Sequence, residues 1–329
     1  MTQTSNLIIE TQDLRKVFQA KGKGKKTSVE AVRGISFDVA QGEIFGLLGP
    51  NGAGKTTTMR MLCTLLTPTS GTARITGENL STHQAEIRMK IGYVSQVGGM
   101  QRESSGRENL MLQARLYGMN SKDAETRITE LLKLLDIESF ADRRTSTYSG
   151  GQRRIFDLAS GIVHRPQLLF LDEPSTGLDP QNRAHVWEQV KKLHKQGTSI
   201  FLTTHYLEEA DELCNRVAIV DHGVIVALGS PEELKRKISG DVISLGFTDA
   251  KTPAQAIAAL SGSSFIRETQ IKDETAHLFV DHGDENLPVV MKALHDRGIS
   301  IKTIKLSRPT LDDVFLKLTG RTLRESESA

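Results

Sequence analysis

Gly49-Pro50-Asn51-Gly52-Ala53-Gly54-Lys55-Thr56-Thr57 is the stretch that decides the fold. Gly49, Gly54, Lys55 and Thr56 fill the fixed places of the pattern Gly, four free positions, Gly, Lys, then Ser or Thr. The apolar run Ile44-Phe45-Gly46-Leu47-Leu48 ahead of it reads as a buried parallel strand. Behind it Met59, Leu62, Cys63 and Leu66 recur at i, i+3, i+4 and i+7, which predicts a helix stopped near Pro68. Strand, glycine loop and helix form the context in which such a loop holds phosphate. Residues without a Cβ let backbone N–H groups approach phosphate oxygens closely. The opening turn of the helix adds free N–H groups and the positive end of its dipole. Lys55 is placed to reach the β- and γ-phosphates, and the Thr56 hydroxyl to ligate Mg2+. A bare strand-to-helix turn is the bland alternative; the flanks on both sides favour a nucleoside triphosphate site.

The 329 residues suffice for two domains and a large core. Charged residues make up 25% and the formal net charge is +2, a balance that argues against a dedicated nucleic-acid binder. Cys63 and Cys214 have no partner spacing and read as reduced thiols, which points to a cytosolic compartment. No run approaches the roughly 18 apolar residues of a membrane span. The polar start, Met1 to Asn6, lacks the regions of a signal peptide. Any membrane role is therefore expected through a partner. The basic stretch Gln19 to Lys26 reads as a solvated hairpin insertion rather than a lipid contact.

Leu7 to Ile9 and Val29 to Val39 bracket the first region, with Ile35, Phe37 and Val39 alternating as strand residues. Short strand-like pieces follow at Ala73 to Ile75 and Ile91 to Val94. The pattern then turns helical over Arg107 to Gly118, Ala124 to Leu135 and Gly151 to Val163. Parallel character returns with Leu168 to Leu171 and Ser199 to Leu202, so a helical block at about 97–165 interrupts a βα sheet. Arg216 to Leu228 reads as a hairpin turning at Gly223, and Ser230-Pro231-Glu232-Glu233 opens a short helix. These bounds predict one domain over 1–238 and a smaller one over 241–319. The order expected there is strand (Val242–Phe247), helix (Pro253–Leu260), strand (Phe265–Glu268), strand (Ala276–Val280), helix (Asn286–Arg297) and strand (Ile299–Leu306). With no glycine loop or metal-ligand cluster, this domain is expected to serve regulation or assembly. Thr310-Leu311-Asp312-Asp313 reads as a capping box for a last helix, and 320–329 as a disordered tail.

A phosphate loop alone is shared by many protein classes, so downstream residues must decide. Tyr148-Ser149-Gly150-Gly151-Gln152 is followed by Leu168-Leu169-Phe170-Leu171-Asp172-Glu173-Pro174, by Gly177-Leu178-Asp179-Pro180 and by His205. This ordered set resembles the ATP-binding-cassette ATPases over residues 7 to about 238. The resemblance implies an α/β fold: a P-loop NTPase core with a helical subdomain, joined to a small α+β C-terminal domain. Asp172, at the end of a buried strand, can hold Mg2+ directly or through water. Glu173 is the expected general base or water-positioner for attack on the γ-phosphate. Gln96 matches the family's Q-loop glutamine, which touches metal and attacking water beside the link to the membrane subunit. His205 matches the switch histidine on the γ-phosphate, and Phe18 the aromatic that stacks on adenine.

Ser149, Gly150 and Gly151 begin a helix whose N–H groups can bind an anion. In the family two cassettes pair head to tail, each signature completing the other's ATP site, and Asp179 matches the loop crossing that interface. The resemblance thus implies a homodimer with ATP and Mg2+ as ligands. It further implies a place at the cytoplasmic face of the cell membrane, held there through a polytopic permease.

Within the family the whole chain is similar to ATP-binding subunits of daunorubicin-resistance-type drug exporters. The carriers are Gly106-Arg107-Glu108-Asn109-Leu110, Ala114-Arg115-Leu116-Tyr117-Gly118, Gly150-Gly151-Gln152-Arg153-Arg154 and Leu311-Asp312-Asp313-Val314-Phe315. Tyr148 departs from the commonest leucine, and Ile155, Ser160 and Gly161 depart in the signature helix. Gly161 is expected to cost that helix about 0.5–1 kcal/mol relative to alanine. A soluble cassette ATPase outside transport is the alternative, though fused cassettes, coiled-coil insertions and zinc cysteines do not occur here. A module without turnover fits poorly with Glu173 and His205, and a kinase or GTPase has no use for Ser149 to Gln152.

Overall fold

The computed structural model describes residues 6–22, 25–238, 241–308 and 310–319. They form two compact units, one up to Ser230 and one from Pro231. The first unit begins with β1 (Leu7–Gly22), β2 (Lys25–Ile35), β3 (Asp38–Ala40), β4 (Ile44–Leu48), α1 (Lys55–Leu62), β5 (Ser70–Ile75), β6 (Glu78–Asn79), α2 (Gln84–Lys90) and β7 (Ile91–Val94). It continues with α3 (Gly106–Leu116), α4 (Ser121–Leu134), α5 (Gly150–Ile162), β8 (Leu168–Asp172), α6 (Pro180–Lys195), β9 (Ser199–Thr204), α7 (Leu207–Leu213), β10 (Arg216–Asp221) and β11 (Val224–Gly229).

Two sheets share the core of this unit. One is antiparallel, ordered β2-β1-β5-β6 with β3 also on β1. The described parts of the basic stretch lie in the paired strands β1 and β2, where Gln19 pairs with Ser28 and Lys21 with Lys26. The other sheet is ordered β11-β10-β4-β9-β8-β7, parallel from β10 to β7. Every residue of β4, β8 and β9 is buried, as expected of strands covered on both faces. Phe37 stacks on Phe45 and Phe201 at centroid distances of 5.2 and 5.8 Å, and these rings anchor the core.

The first helix ends earlier than its apolar spacing predicts. Leu66 lies outside α1, which stops at Leu62. Thr64 takes φ +62°, its N–H bonds the Met61 carbonyl, and the Leu65 N–H bonds the Arg60 carbonyl. This is a Schellman stop, and it satisfies the last carbonyls without glycine. Leu66 still packs against the core, so its apolar spacing reports burial beyond the helix.

Helices α3, α4 and α5 make up the helical block. Ser105 and Glu108 close a capping box on α3, and Asn120 caps α4 through the Asp123 N–H. Gly161 faces β7: a Cβ there would lie 2.7 Å from Val94 Cγ2, and one on Gly92 would lie 2.0 Å from the Gly161 carbonyl. The departure from alanine at Gly161 therefore has a packing reason. Tyr148 is buried too, donating from its hydroxyl to the Phe140 carbonyl at 2.7 Å.

The second unit contains α8 (Pro231–Ile238), β12 (Asp241–Gly246), α9 (Thr252–Ala259), β13 (Ile266–Lys272), β14 (Thr275–Val280), α10 (Gly283–His295), β15 (Thr303–Ser307) and α11 (Leu311–Thr319). Its sheet is ordered β13-β14-β12-β15 and antiparallel throughout, the split βαβ arrangement. Ile243, Leu245, Leu278, Val290 and Leu294 belong to a core of its own. Helix α8 groups with this unit, so the division falls at Ser230/Pro231, ahead of the boundary expected from composition. The tail expected to be disordered lies outside the described residues.

Candidate active site

The site residues converge because four neighbouring parallel strands end level with one another. Leu48 pairs with Thr204, Asp172 with Thr203, and Leu171 with Val94. Beyond these ends lie the loop Gly49–Thr57, His205, Glu173 and Gln96. Such an edge at the carboxyl ends of parallel strands is where open α/β sheets place ligands.

The loop is built for close approach. A Cβ on Gly49 would lie 2.2 Å from the Val220 carbonyl oxygen, and one on Gly54, at φ +101°, 2.5 Å from that of Ala31. Neither position tolerates a side chain. Asn51 and Gly52 are exposed while Ala53, Gly54 and Lys55 are buried, so the loop wraps from surface to helix start. Lys55 Nζ donates to the carbonyls of Gly49 at 2.7 Å and Pro50 at 3.0 Å. Phe18 is 42% exposed on β1 opposite Val29, in the hairpin whose Ala31 abuts Gly54.

Asp172 and Glu173 end β8 in different environments. The Asp172 carboxylate accepts from Thr56 Oγ1 at 3.1 Å and from Thr203 Oγ1 at 2.6 Å. One hydroxyl and one carboxylate, hard oxygen donors beside a phosphate cradle, fit Mg2+, which takes few protein ligands and keeps phosphate and water around it. Glu173 turns away with φ +48°, a left-handed geometry that costs a non-glycine residue about 1–3 kcal/mol. Its N–H bonds the Thr203 carbonyl at 3.1 Å and Thr203 Oγ1 at 3.2 Å, which helps hold that turn.

The Glu173 carboxylate is the focus of the site. His205 Nδ1 and Lys55 Nζ lie 3.3 and 3.5 Å from one oxygen. Gln96 Nε2 and Thr176 Oγ1 donate to the other at 3.0 and 3.1 Å. Burial pushes the carboxyl's pKa up, but the His205 hydrogen bond and the Lys55 charge outweigh it, and the group sits below the usual carboxylate range. The structure thus joins Lys55, Gln96, Glu173 and His205 in one constellation, and Thr56 with Asp172 in another.

The signature turn is a capping box. The Gln152 N–H bonds Ser149 Oγ at 3.2 Å, and the Ser149 N–H bonds Gln152 Oε1 at 3.1 Å. A Cβ on Gly151 would meet Asn182 Oδ1 at 2.2 Å. Asn182 in turn donates its N–H to Asp179, the N-cap of α6, at 2.9 Å. Signature and Asp179 therefore form one exposed corner. Two participants were not singled out from sequence: Thr176 and Thr203. Thr203 stands opposite Asp172 in a parallel pair, a register that a sequence by itself does not reveal.

The chain matches the family model described as "ABC transporter" over residues 32–176, and "ATP-binding protein DrrA1-3-like, C-terminal domain" over residues 229–319. It is 41% identical to a daunorubicin resistance ATP-binding protein of Streptomyces coeruleorubidus, covering 91% of this chain and 94% of that protein. It is 39% identical to the Nod factor export ATP-binding protein I of Paraburkholderia xenovorans, over 93% of this chain and 96% of that one. A solved dimeric ATP-binding cassette with ADP and Pi has a TM-score of 0.61 at 22% identity, covering 68% of this chain and 98% of its own, and shares the fold. The chain belongs to the ABC transporter family: it is the ATP-binding and ATP-hydrolysing subunit of an exporter, similar along nearly its whole length to the daunorubicin resistance proteins.

Proposed function

We propose that this chain works as a head-to-tail homodimer at the cytoplasmic face of the membrane, on a separate polytopic permease, and moves hydrophobic compounds such as drugs outward. Gly49 to Thr57 cradle the phosphates of ATP, and Phe18 stacks on the adenine. Thr56, Asp172 and Gln96 would hold Mg2+, which when bound would supply positive charge against the phosphates. Glu173 orients the attacking water and accepts its proton, Gln96 fixes that carboxylate, and His205 and Lys55 face the γ-phosphate. Ser149, Gly150, Gly151 and Gln152 close over the ATP held by the second copy, with Asp179 at the same seam. The observation that carries this reading is the Glu173 carboxylate, on which Lys55, His205, Gln96 and Thr176 converge within 3.5 Å.

Glu173→Gln tests it. Loss of a positioned base lowers turnover by about 10²- to 10⁴-fold, while ATP binding persists and the ATP-bound dimer accumulates. Wild-type phosphate release from that variant would remove Glu173 from the mechanism.

For the permease, support comes from a cavity of about 290 Å³ beside Gln96, lined by Tyr93, Gly98, Asn109, Leu112 and Leu116 among others. Leu116 and neighbouring Val97 are 73% and 91% exposed, apolar surface suited to a partner helix. Among the described residues no helix is long and apolar enough to cross a membrane. The two relatives are named for unlike cargoes, daunorubicin and Nod factor, so cargo choice is assigned to the permease. Co-purification of a polytopic protein from detergent-solubilised host membranes checks the assembly. Recovery of the chain without one would sink it.

A further inference from the structure

Arg154 stands on α5, five residues past Ser149, and the mechanism above leaves it unused. It is 7% exposed. Its guanidinium donates to four main-chain oxygens: Nε to Pro174 at 2.7 Å, Nη1 to Ser95 at 2.7 Å, and Nη2 to Asp172 at 3.0 Å and Glu173 at 3.2 Å. Three of these carbonyls belong to the turn in which Glu173 adopts its left-handed φ. The fourth belongs to the residue immediately before Gln96. Where a strand ends, its carbonyls lose ladder partners and must find others. The rigid fork of a guanidinium meets several at once, which an ammonium cannot.

We propose that Arg154 is a positioning residue that ties the aim of Glu173 and Gln96 to the signature turn on its own helix, so that closure at one ATP site of the dimer sets the catalytic geometry of the other. The inference rests on the head-to-tail reading above. In that dimer Ser149 meets the ATP of the second copy, whereas Glu173 acts on the ATP of its own. Helix α5 is a stiff rod between them, with Ser149 and Arg154 about 7.5 Å apart along its axis at 1.5 Å per residue. A signature turn drawn onto its phosphate carries the guanidinium along, and the guanidinium carries the carbonyls on either side of Glu173.

The test uses full-length Arg154→Gln and Arg154→Lys. ATP hydrolysis is read as kcat, KM and cooperativity in ATP, with binding of a fluorescent ATP analogue and thermal unfolding alongside. ATP-induced dimerisation of Glu173→Gln by gel filtration checks the underlying reading. We expect Arg154→Gln to lose about 10²-fold in kcat, the scale set by a misplaced reacting group. Analogue binding persists, cooperativity disappears, and Arg154→Lys recovers part of the loss. Unchanged kcat and cooperativity in either variant would overturn the proposal. So would a kcat that falls only in step with the folded fraction, with cooperativity kept. Should Arg154→Gln not fold, Arg154→Lys decides by the same criteria. Failure of Glu173→Gln to dimerise with ATP overturns the head-to-tail reading itself; dimerisation with normal turnover in Arg154→Gln removes the coupling alone.

Discussion

Gly161→Ala sets two physical effects against each other, and the structure decides the sign. Position 161 lies inside α5, where alanine is favoured over glycine by about 1 kcal/mol. From sequence, the substitution stabilises. In the fold the new Cβ lies 2.7 Å from Val94 Cγ2 and 3.2 Å from Leu169 Cδ1. Val94 is 3% exposed on β7, and its β-branched methyl cannot swing clear as a long side chain would. Overpacking a dense core costs about 1–3 kcal/mol. The difference is a net loss of about 0–2 kcal/mol, and at 1 kcal/mol a unit of this size loses about 2–4 °C in Tm. Thermal unfolding of the purified chain, followed by circular dichroism, reads this directly. Ser160→Ala is the control, half-buried on the same helix, and should hold or raise Tm. A rise of several degrees in Gly161→Ala would refute the packing argument and restore the propensity argument.

Thr203→Val deletes the 2.6 Å hydrogen bond to Asp172 and the hydroxyl contact to the Glu173 N–H, at about 1–3 kcal/mol for a buried group left unpaired; a weaker apparent affinity for Mg2+ in the ATPase assay should accompany the lower stability. Phe201→Ala removes the ring between Phe37, Phe45 and Phe170, and should cost about 3–5 kcal/mol in urea unfolding of the first unit. Thr310→Ala removes the hydroxyl half of the capping box with Asp313, leaving the main-chain N–H of residue 310 on that carboxylate; it should cost about 0.5–2 kcal/mol and speed amide exchange along α11 while leaving exchange in β4, β8 and β9 unchanged.

How much was legible follows from the range of each interaction. Glycine loop, buried strand runs and the Thr310–Asp313 capping box are local, and they stand in the structure where their residues placed them. The β-α-β-β-α-β order of the second unit was readable from its pattern, whereas its antiparallel pairing emerges from the structure. The end of α1 was missed because a Schellman stop at threonine lacks the usual glycine. Helix α6 went unread although Asp179-Pro180 carries its cap and first-turn signal. What no local pattern could supply is the strand order β4-β9-β8-β7, and with it the meeting of Lys55, Gln96 and His205 on one carboxylate. Arg154 was legible only as part of the signature stretch, and its contacts were hidden because its partners are main-chain oxygens, which have no sequence identity.

The capping box at Ser149 has a consequence for how the dimer opens. A helix start left bare strands several N–H groups without acceptors. Here the Ser149 hydroxyl occupies the Gln152 N–H, and Gln152 occupies the Ser149 N–H, so two of the turn's donors are met internally. On the proposed head-to-tail reading, an arriving phosphate is offered the N–H groups of Gly150 and Gly151, which the box does not use, and competes with an internal acceptor only at Ser149 and Gln152. Closure would on that reading be part exchange of hydrogen bonds and part new bonding, and the exchanged part lowers the net gain of closing, which favours release of the clamp once the phosphate departs.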